Sequence, residues 1–450
     1  MAEPLTGAAA GGGTLDLAVI GGGWAGLAAA VHAVQRGHRV AVFELARHWG
    51  GRARSLDGSG LDNGQHILIG AYRETLALMR TVGVDPEQVL LRRPLALCGA
   101  DGLGLRLLPG GPAAPAFAAA VLASRAWRWR DKLALLRACA GWARAGFRCT
   151  PDRSVGTLCA ALPAAVRQRL IDPLCVAALN TPAAEASAAV FLRVLRDGLF
   201  GGRGACDLLL PCRPLNDLLP APAARWLAER GAELCLGQRV TVLDRASKGW
   251  QVDGRAFDAV VLACSAAEAA RLAAPVAPDW AALAAALRFE PIVTVTLRCG
   301  GARLPLPMVA LAEDARSPAQ FVFDHAQLGG PAGRFSFVVS GAARWVAAGL
   351  DACAAATQRQ AAEQLRRCGW PAGSAPLEAV FAERRATFRC TPALQRPPAA
   401  IAPGLAAAGD YVAGPYPATL EGAVRSAVAA LDLLGAPTMQ NRVSSASSPP

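Results

Sequence analysis

Lysine is nearly missing from this 450-residue chain: Lys132 and Lys248 are the only two, so the formal charge of +12 is carried almost wholly by arginine. The arginines are scattered without a basic block, and no recognition motif accompanies them, which argues against a nucleic-acid partner. With so much alanine and glycine beside them, they read as genomic base composition, and anionic lipid headgroups are the better-matched partner for the charge. Histidine is scarce as well, five in all and never at metal-ligand spacing. The thirteen cysteines form no C-x-x-C pair and lie near no histidine cluster. That argues against a zinc site and a disulfide framework, and for buried thiols in a reducing cytoplasm. Long apolar runs are also absent. The longest charge-free candidate, residues 107–124, is interrupted by Pro109, Pro112 and Pro115 and is barely long enough for a bilayer, so no membrane span is expected. Residues 1–14 lack the basic start and apolar centre of a secretory leader, so no leader is expected, and a cytoplasmic location is the expectation.

What remains is a composition for packing. Hydrophobic residues make up 53% and charged ones 18%, and the length suffices for two domains with their own cores. The informative stretch is residues 16–55. Leu17, Val19 and Ile20 begin an apolar strand that ends in Gly21-Gly22-Gly23-Trp24-Ala25-Gly26, which fits G-x-G-x-x-G. An Ala-rich helical segment follows and stops at Gly37, and Arg39 to Phe43 reads as a second strand closing on Glu44. Gly21 permits the tight turn, Gly23 lets a pyrophosphate approach the backbone, and Gly26 lets helix pack on strand. The free N–H groups of the helix start face the phosphates. Glu44 lies 18 residues beyond Gly26 (44 − 26), where a carboxylate can accept from a ribose. Strand, turn, helix, strand and acid in that order predict a dinucleotide site.

The residues that follow narrow the nucleotide. His48-Trp49-Gly50-Gly51-Arg52-Ala53 resembles the G-G-R element of flavoproteins of the amine oxidase and phytoene desaturase superfamily. The resemblance implies FAD, with NAD a poor second, and puts Arg52 and Gly51 beside its diphosphate. Further on, Leu61-Asp62-Asn63-Gly64-Gln65-His66-Ile67-Leu68-Ile69-Gly70-Ala71-Tyr72 is similar to a narrower group, the squalene-associated FAD-dependent desaturases assigned as hydroxysqualene dehydroxylases of hopanoid biosynthesis. Residues 172–182, 384–392 and 415–426 carry the same likeness. On bare chemistry Asp62-Asn63-Gly64 is equally a turn, His66 a core histidine, and Asn180 as good a helix cap as a substrate contact.

The fold implied is α/β: a Rossmann-like FAD-binding domain with an inserted α+β substrate domain. Residues 15–93, 205–288 and 393–437 would form the flavin domain, and 94–204 with 289–392 the substrate domain. Residues 1–14 and 438–450 would be disordered extensions. Glu233 to Leu243 reads as one strand, with Val240 offering backbone groups to the adenine by family resemblance. The resemblance also brings Gly64 near the flavin, Gly409-Asp410 to the ribitol and diphosphate, and Leu420-Glu421 at a helix N-terminus against the isoalloxazine. The implied reaction is reductive removal of an allylic hydroxyl, with Asp62 or His66 as candidate proton donors. An apolar tunnel for a C30 isoprenoid is then expected.

A substrate of that kind resides in membrane, which implies peripheral contact with the cytoplasmic face of the inner membrane and association with the upstream presqualene and hydroxysqualene synthases. The segment Trp127-Arg128-Trp129-Arg130-Asp131-Lys132 suits an interface. Plotted at 100° per residue, however, its apolar and basic positions do not separate into faces, so ordinary packing stands beside that reading. Three other functions remain open: an oxidative carotenoid or squalene desaturase, an amine oxidase, and a non-catalytic flavin scaffold. With three tyrosines in the chain, the aromatic cage an amine oxidase builds around its substrate is poorly provided for.

Overall fold

In the computed structural model, residues 13–56 and 58–435 are described, and the disorder expected of residues 1–12 and 438–450 lies outside them. The expected opening unit forms as β1 (Asp16–Ile20), α1 (Trp24–Gln35) and β2 (Arg39–Glu44). β1 is the centre of a six-stranded sheet, with β2 and then Glu233–Leu236 on one side and Ala259–Leu262, Leu405–Ala407 and Ala400–Ala402 on the other. The first five run parallel and the last is an antiparallel edge. Leu17 sits opposite both Val40 and Ala259, so strands far apart in sequence share one register.

Helix α1 is buried along nearly its whole length, with Leu27 to Val31 at zero exposure, between the sheet and the terminal helix Leu420–Gly435. Its run of alanines allows that approach, and Gly26 makes it possible at the closest point. A β-carbon there would sit inside the van der Waals radius of the Gly21 carbonyl oxygen.

One expectation is corrected. Glu233 to Leu243 is not one strand: it breaks at Gly237, which takes a φ of +70°. The chain then turns back, with the Gly237 and Gln238 N–H groups donating to the Ala46 and Glu44 carbonyls. It resumes as Leu243–Arg245 in a separate three-stranded antiparallel sheet. Leu208–Pro211 pairs antiparallel with Leu68–Ile69 and Leu90–Arg93 in a small sheet of its own.

The second sheet is antiparallel as expected, in the order Met308–Ala310, Phe321–Asp324, Arg334–Val339, Phe289–Arg298, Leu377–Phe388. Strand alternation divides its side chains. Val293, Val295, Leu297, Phe335 and Phe337 pack with residues of the helix Leu350–Gln364, whereas Ile292, Thr294, Phe321, Phe323 and Val338 face a cavity on the other side. The helices Ala113–Ala123, Asp172–Leu179 and Ala188–Leu199 also contribute to the walls of that cavity. Among the described residues no helix is long and apolar enough to cross a membrane.

Candidate active site

One cavity of about 880 Å³ runs from the carboxyl ends of β1 and β2 to the inner face of the antiparallel sheet. Its two ends differ in chemistry because different physical jobs built them.

The first end is backbone. Gly21, Gly23, Gly51, Gly64 and Gly409 all line it. Gly23 and Gly50 form a parallel bridge, and a β-carbon on Gly51 would come 3.2 Å from the Gly23 α-carbon. A side chain at Gly51, whose φ is +61°, is therefore disfavoured where the two loops meet. The N-terminus of α1 has no side-chain cap, and Trp24 and Ala25 of its first turn line the cavity. Uncapped, buried N–H groups at a helix start call for an anion, and a diphosphate supplies one. The Tyr411 hydroxyl, also buried and lining the cavity, has no hydrogen-bond partner among the described residues. Unmet donors and a glycine-walled slot are what a dinucleotide fits.

Charged side chains frame that slot. The Glu44 carboxylate accepts from the Gly22 N–H at 2.6 Å and the Ala46 N–H at 2.7 Å, which fixes it at the end of β2 with lone pairs to spare. Arg52 donates to Asp410 at 2.5 Å and to the Ala386 carbonyl at 2.7 Å. Burial works against the Arg52 charge, and the Asp410 carboxylate more than offsets it, so its pKa is raised. Val240 lines the cavity after the break at Gly237, its carbonyl accepting from Arg271 at 2.7 Å. Burial pushes the nearby Cys264 thiol up to about 12, so it stays protonated.

The second end is apolar. Leu97, Phe117, Leu174, Met308 and Phe323 come to it from five separate elements. Where the ends meet stand His66, Tyr72, Tyr416 and Glu383. His66 Nδ1 lies 3.2 Å from the Gly64 carbonyl. A carbonyl only accepts, so Nδ1 carries the proton in that contact and Nε2 is left as an acceptor. Burial, aided by the Arg52 charge and opposed by the Gly64 contact, lowers the His66 pKa and keeps the ring neutral at pH 7. Tyr72 is driven the other way by burial and by Glu421, and its phenol stays protonated. Glu383 accepts from Asn63 at 3.0 Å, tying the 61–72 segment to the long strand Leu377–Phe388.

Not every expected residue reaches the cavity. Asp62 does not line it: its Oδ1 accepts from the Ser55 hydroxyl at 2.7 Å and the Leu215 N–H at 3.0 Å. Burial raises its pKa while those two bonds lower it, and what it does is pin a hairpin to the start of the helix Leu215–Leu218. Asp62 is thus held as a structural anchor beside the cavity and not in its wall. Gly26 serves the packing of α1 and also stands outside the lining.

Leu420 and Glu421 both line the cavity, yet the Glu421 carboxylate turns to another helix. It accepts from the Thr75 N–H at 2.9 Å, the Thr75 hydroxyl at 2.8 Å, the Glu74 N–H at 3.2 Å and Arg425 Nε at 2.8 Å. Asn180 is the cap of its helix: its φ is +46°, its amide donates to Glu290 and Thr387, and its carbonyl accepts from Gly341. Tyr72, Tyr411 and Glu383 were given no role by sequence. Tyr72 and Glu383 lie in or beside the segments that carry the family likeness, and Tyr411 follows Gly409-Asp410.

A sequence model of flavin-containing amine oxidoreductases matches residues 24–432. The hydroxysqualene dehydroxylase of Rhodopseudomonas palustris is 30% identical over 92% of this chain and 97% of its own length. That of Sinorhizobium fredii is 29% identical over the same shares. Among solved structures, the cyclohexylamine oxidase of Brevibacterium oxydans superposes with a TM-score of 0.62 at 18% identity, covering 94% of this chain and 99% of that one, a likeness of fold. A glycine-walled dinucleotide slot opening on an apolar chamber, with similarity that runs the length of both relatives, has one reading: the chain belongs to the flavin-containing amine oxidoreductases and, within them, to the hydroxysqualene dehydroxylase family.

Proposed function

We propose that this chain is an FAD-dependent oxidoreductase that removes the hydroxyl of hydroxysqualene to give squalene, a step that would serve hopanoid synthesis. The observation that carries the reading is the single cavity joining the glycine-walled slot to an apolar chamber. FAD fits the slot because Glu44 and Val240 line it beside the glycine turn, where the ribose and adenine of an adenosine would lie. When bound, a reduced flavin supplies hydride. The reaction consumes that hydride and one proton and releases water.

The protein's own share is binding, orientation and dryness. Leu97, Phe117, Met308 and Phe323 would hold the hydrocarbon chain and keep water from the allylic cation left by the departing hydroxyl. His66 Nε2, the acceptor at the boundary, would receive the substrate O–H and fix the alcohol's position. A membrane-borne substrate would bring the enzyme to the cytoplasmic face of the bilayer, beside the synthases that act before it.

Anaerobic incubation of the photoreduced enzyme with hydroxysqualene, analysed by mass spectrometry, tests the reaction. Squalene is expected, and its absence would refute the reading and favour an oxidative desaturase. In the same assay, His66→Leu lowers turnover with flavin content unchanged, whereas undiminished turnover would remove His66 from the mechanism.

A further inference from the structure

The positive charge of this chain is uneven once read by region. Residues 102–149 hold eight basic residues, Arg106, Arg125, Arg128, Arg130, Lys132, Arg137, Arg144 and Arg148, against one acid, Asp131, a surplus of seven (8 − 1) out of the total of +12. Every one of the seven arginines is exposed, and Asp131 is buried. Five of the eleven exposed large apolar side chains among the described residues, Leu103, Leu108, Leu122, Trp129 and Leu133, fall in the same region.

Three of those five are brought together at one elbow. Helix Ala113–Ala123 ends beside Leu122, the chain crosses residues 124–128, and helix Trp129–Arg144 begins. Lys132 closes the elbow: its ammonium donates to the Leu122 carbonyl at 2.6 Å and lies 4.8 Å from the centre of the Trp129 ring. Leu133 follows Trp129 by one helical turn and shares its face. Trp129 is 66% exposed, Leu133 45% and Leu122 42%. Trp127, two residues earlier, is buried and donates to the Ala165 carbonyl at 3.1 Å, which anchors the elbow to the body of the protein. The outward Trp129 ring is thus presented on a fixed base, flanked by Arg125, Arg128 and Arg130. Beside it, Arg106, Arg125 and Leu103 line a second cleft of about 330 Å³.

We propose that this elbow, residues 122–133, is the face by which the protein docks on a bilayer of anionic phospholipid. A tryptophan and two leucines ringed by arginines match the boundary between headgroups and acyl chains, with rings at the interface and guanidiniums on phosphate. The same helix that carries Leu122 places Phe117 in the wall of the apolar chamber. A hydrocarbon leaving the bilayer at the elbow therefore meets the helix that borders the chamber. The proposal rests on the dehydroxylase reading for its substrate and on charge and exposure for its surface.

Flotation with phosphatidylcholine vesicles, with and without phosphatidylglycerol, tests it on the full-length holoenzyme. The wild-type protein floats with the anionic vesicles. Replacing Arg125, Arg128 and Arg130 by glutamine lowers the bound-to-free ratio by about a hundredfold. The double replacement Trp129→Ser, Leu133→Ser lowers it by about tenfold or more. In both variants flavin content and turnover of detergent-dispersed substrate stay at the wild-type level, as befits exposed residues. Independently of any variant, amide exchange of the wild-type protein slows across residues 120–133 when anionic vesicles are added. Failure of the wild type to float would overturn the proposal in favour of a protein partner for this face. Undiminished flotation of both variants, or no protection in that segment, would place docking elsewhere. Loss of squalene formation in detergent refutes the reaction alone, because flotation and exchange do not depend on it.

Discussion

Glu421→Leu separates two roles that the same residue is in a position to play. Family likeness assigns Glu421 to the flavin, while its carboxylate binds the first turn of the helix Arg73–Thr81, 346 residues away in sequence. Four donors converge on it, and Thr75, which gives two of them, is fully buried. Leucine in its place leaves the Thr75 N–H and hydroxyl without partners at about 1–3 kcal/mol each. Arg425 is 38% exposed and can turn to water, so its loss adds little. A total near 3 kcal/mol results. With an unfolding entropy of about 2.1 cal/mol/K per residue, a chain of 450 residues melting as one unit loses roughly 3 °C of Tm for that amount. Glu421→Gln keeps one carbonyl oxygen and should lose less than half as much. Calorimetry of the flavin-free protein reads the capping role, and the flavin-to-protein absorbance ratio after gel filtration reads the other. An unchanged Tm for Glu421→Leu together with lost flavin would refute the capping argument.

Glu44→Ala weakens flavin binding by roughly 10- to 150-fold, the equivalent of one charge-assisted hydrogen bond of about 1.5–3 kcal/mol; an absorbance titration of the apoprotein at wild-type affinity would contradict the ribose role. His325 lies beside Ser336, its Nε2 2.7 Å from the hydroxyl, and burial, furthered by the Arg334 charge, lowers its pKa from 6.5 to about 4. A base whose folded pKa is depressed gives stability that is whole above pH 6.5 and lost as pH falls toward 4, because the unfolded chain binds the extra proton. Between pH 7 and 5 the loss is about 2 kcal/mol, and His325→Gln removes that part of the slope in urea titrations; an identical slope would show that another group carries it.

The nucleotide unit was legible because each of its constraints is local. A strand, a glycine turn, an alanine helix and a second strand follow within 29 residues (44 − 16 + 1), and hydrophobic period and glycine placement state them outright. The antiparallel sheet was legible for the same reason: its alternating residues divide cleanly between the chamber and the helix behind. Gly237 was visible in the sequence too, but its neighbours alternate as a strand does on both sides, and only the positive φ shows that the chain turns there. The carboxylates were a different matter. Asp62 and Glu421 sit in segments that carry the family pattern, and their hydrogen bonds go to partners 153 and 346 residues away. A side chain's direction at such a site is set by tertiary partners that no local period encodes. Asp62 faces Leu215 and His66 faces the cavity, four residues apart in one segment, and the sequence treats them alike.

The tryptophan segment shows the same limit from the other side. A helical plot of residues 127–147 assumes one continuous helix, and on that assumption apolar and basic positions mix. The helix in fact starts at Trp129, so Trp127 belongs to the preceding loop and points inward while Trp129 points out. Two tryptophans two residues apart therefore have opposite tasks, one holding the elbow to the core and the other standing free beside three arginines. Once the helix is begun at the right residue, Trp129, Leu133, Arg130 and Arg137 share the outward side and Leu135 and Trp142 the inward one. Apolar and basic side chains therefore share the outward side, as they do on a helix that meets both headgroups and acyl chains.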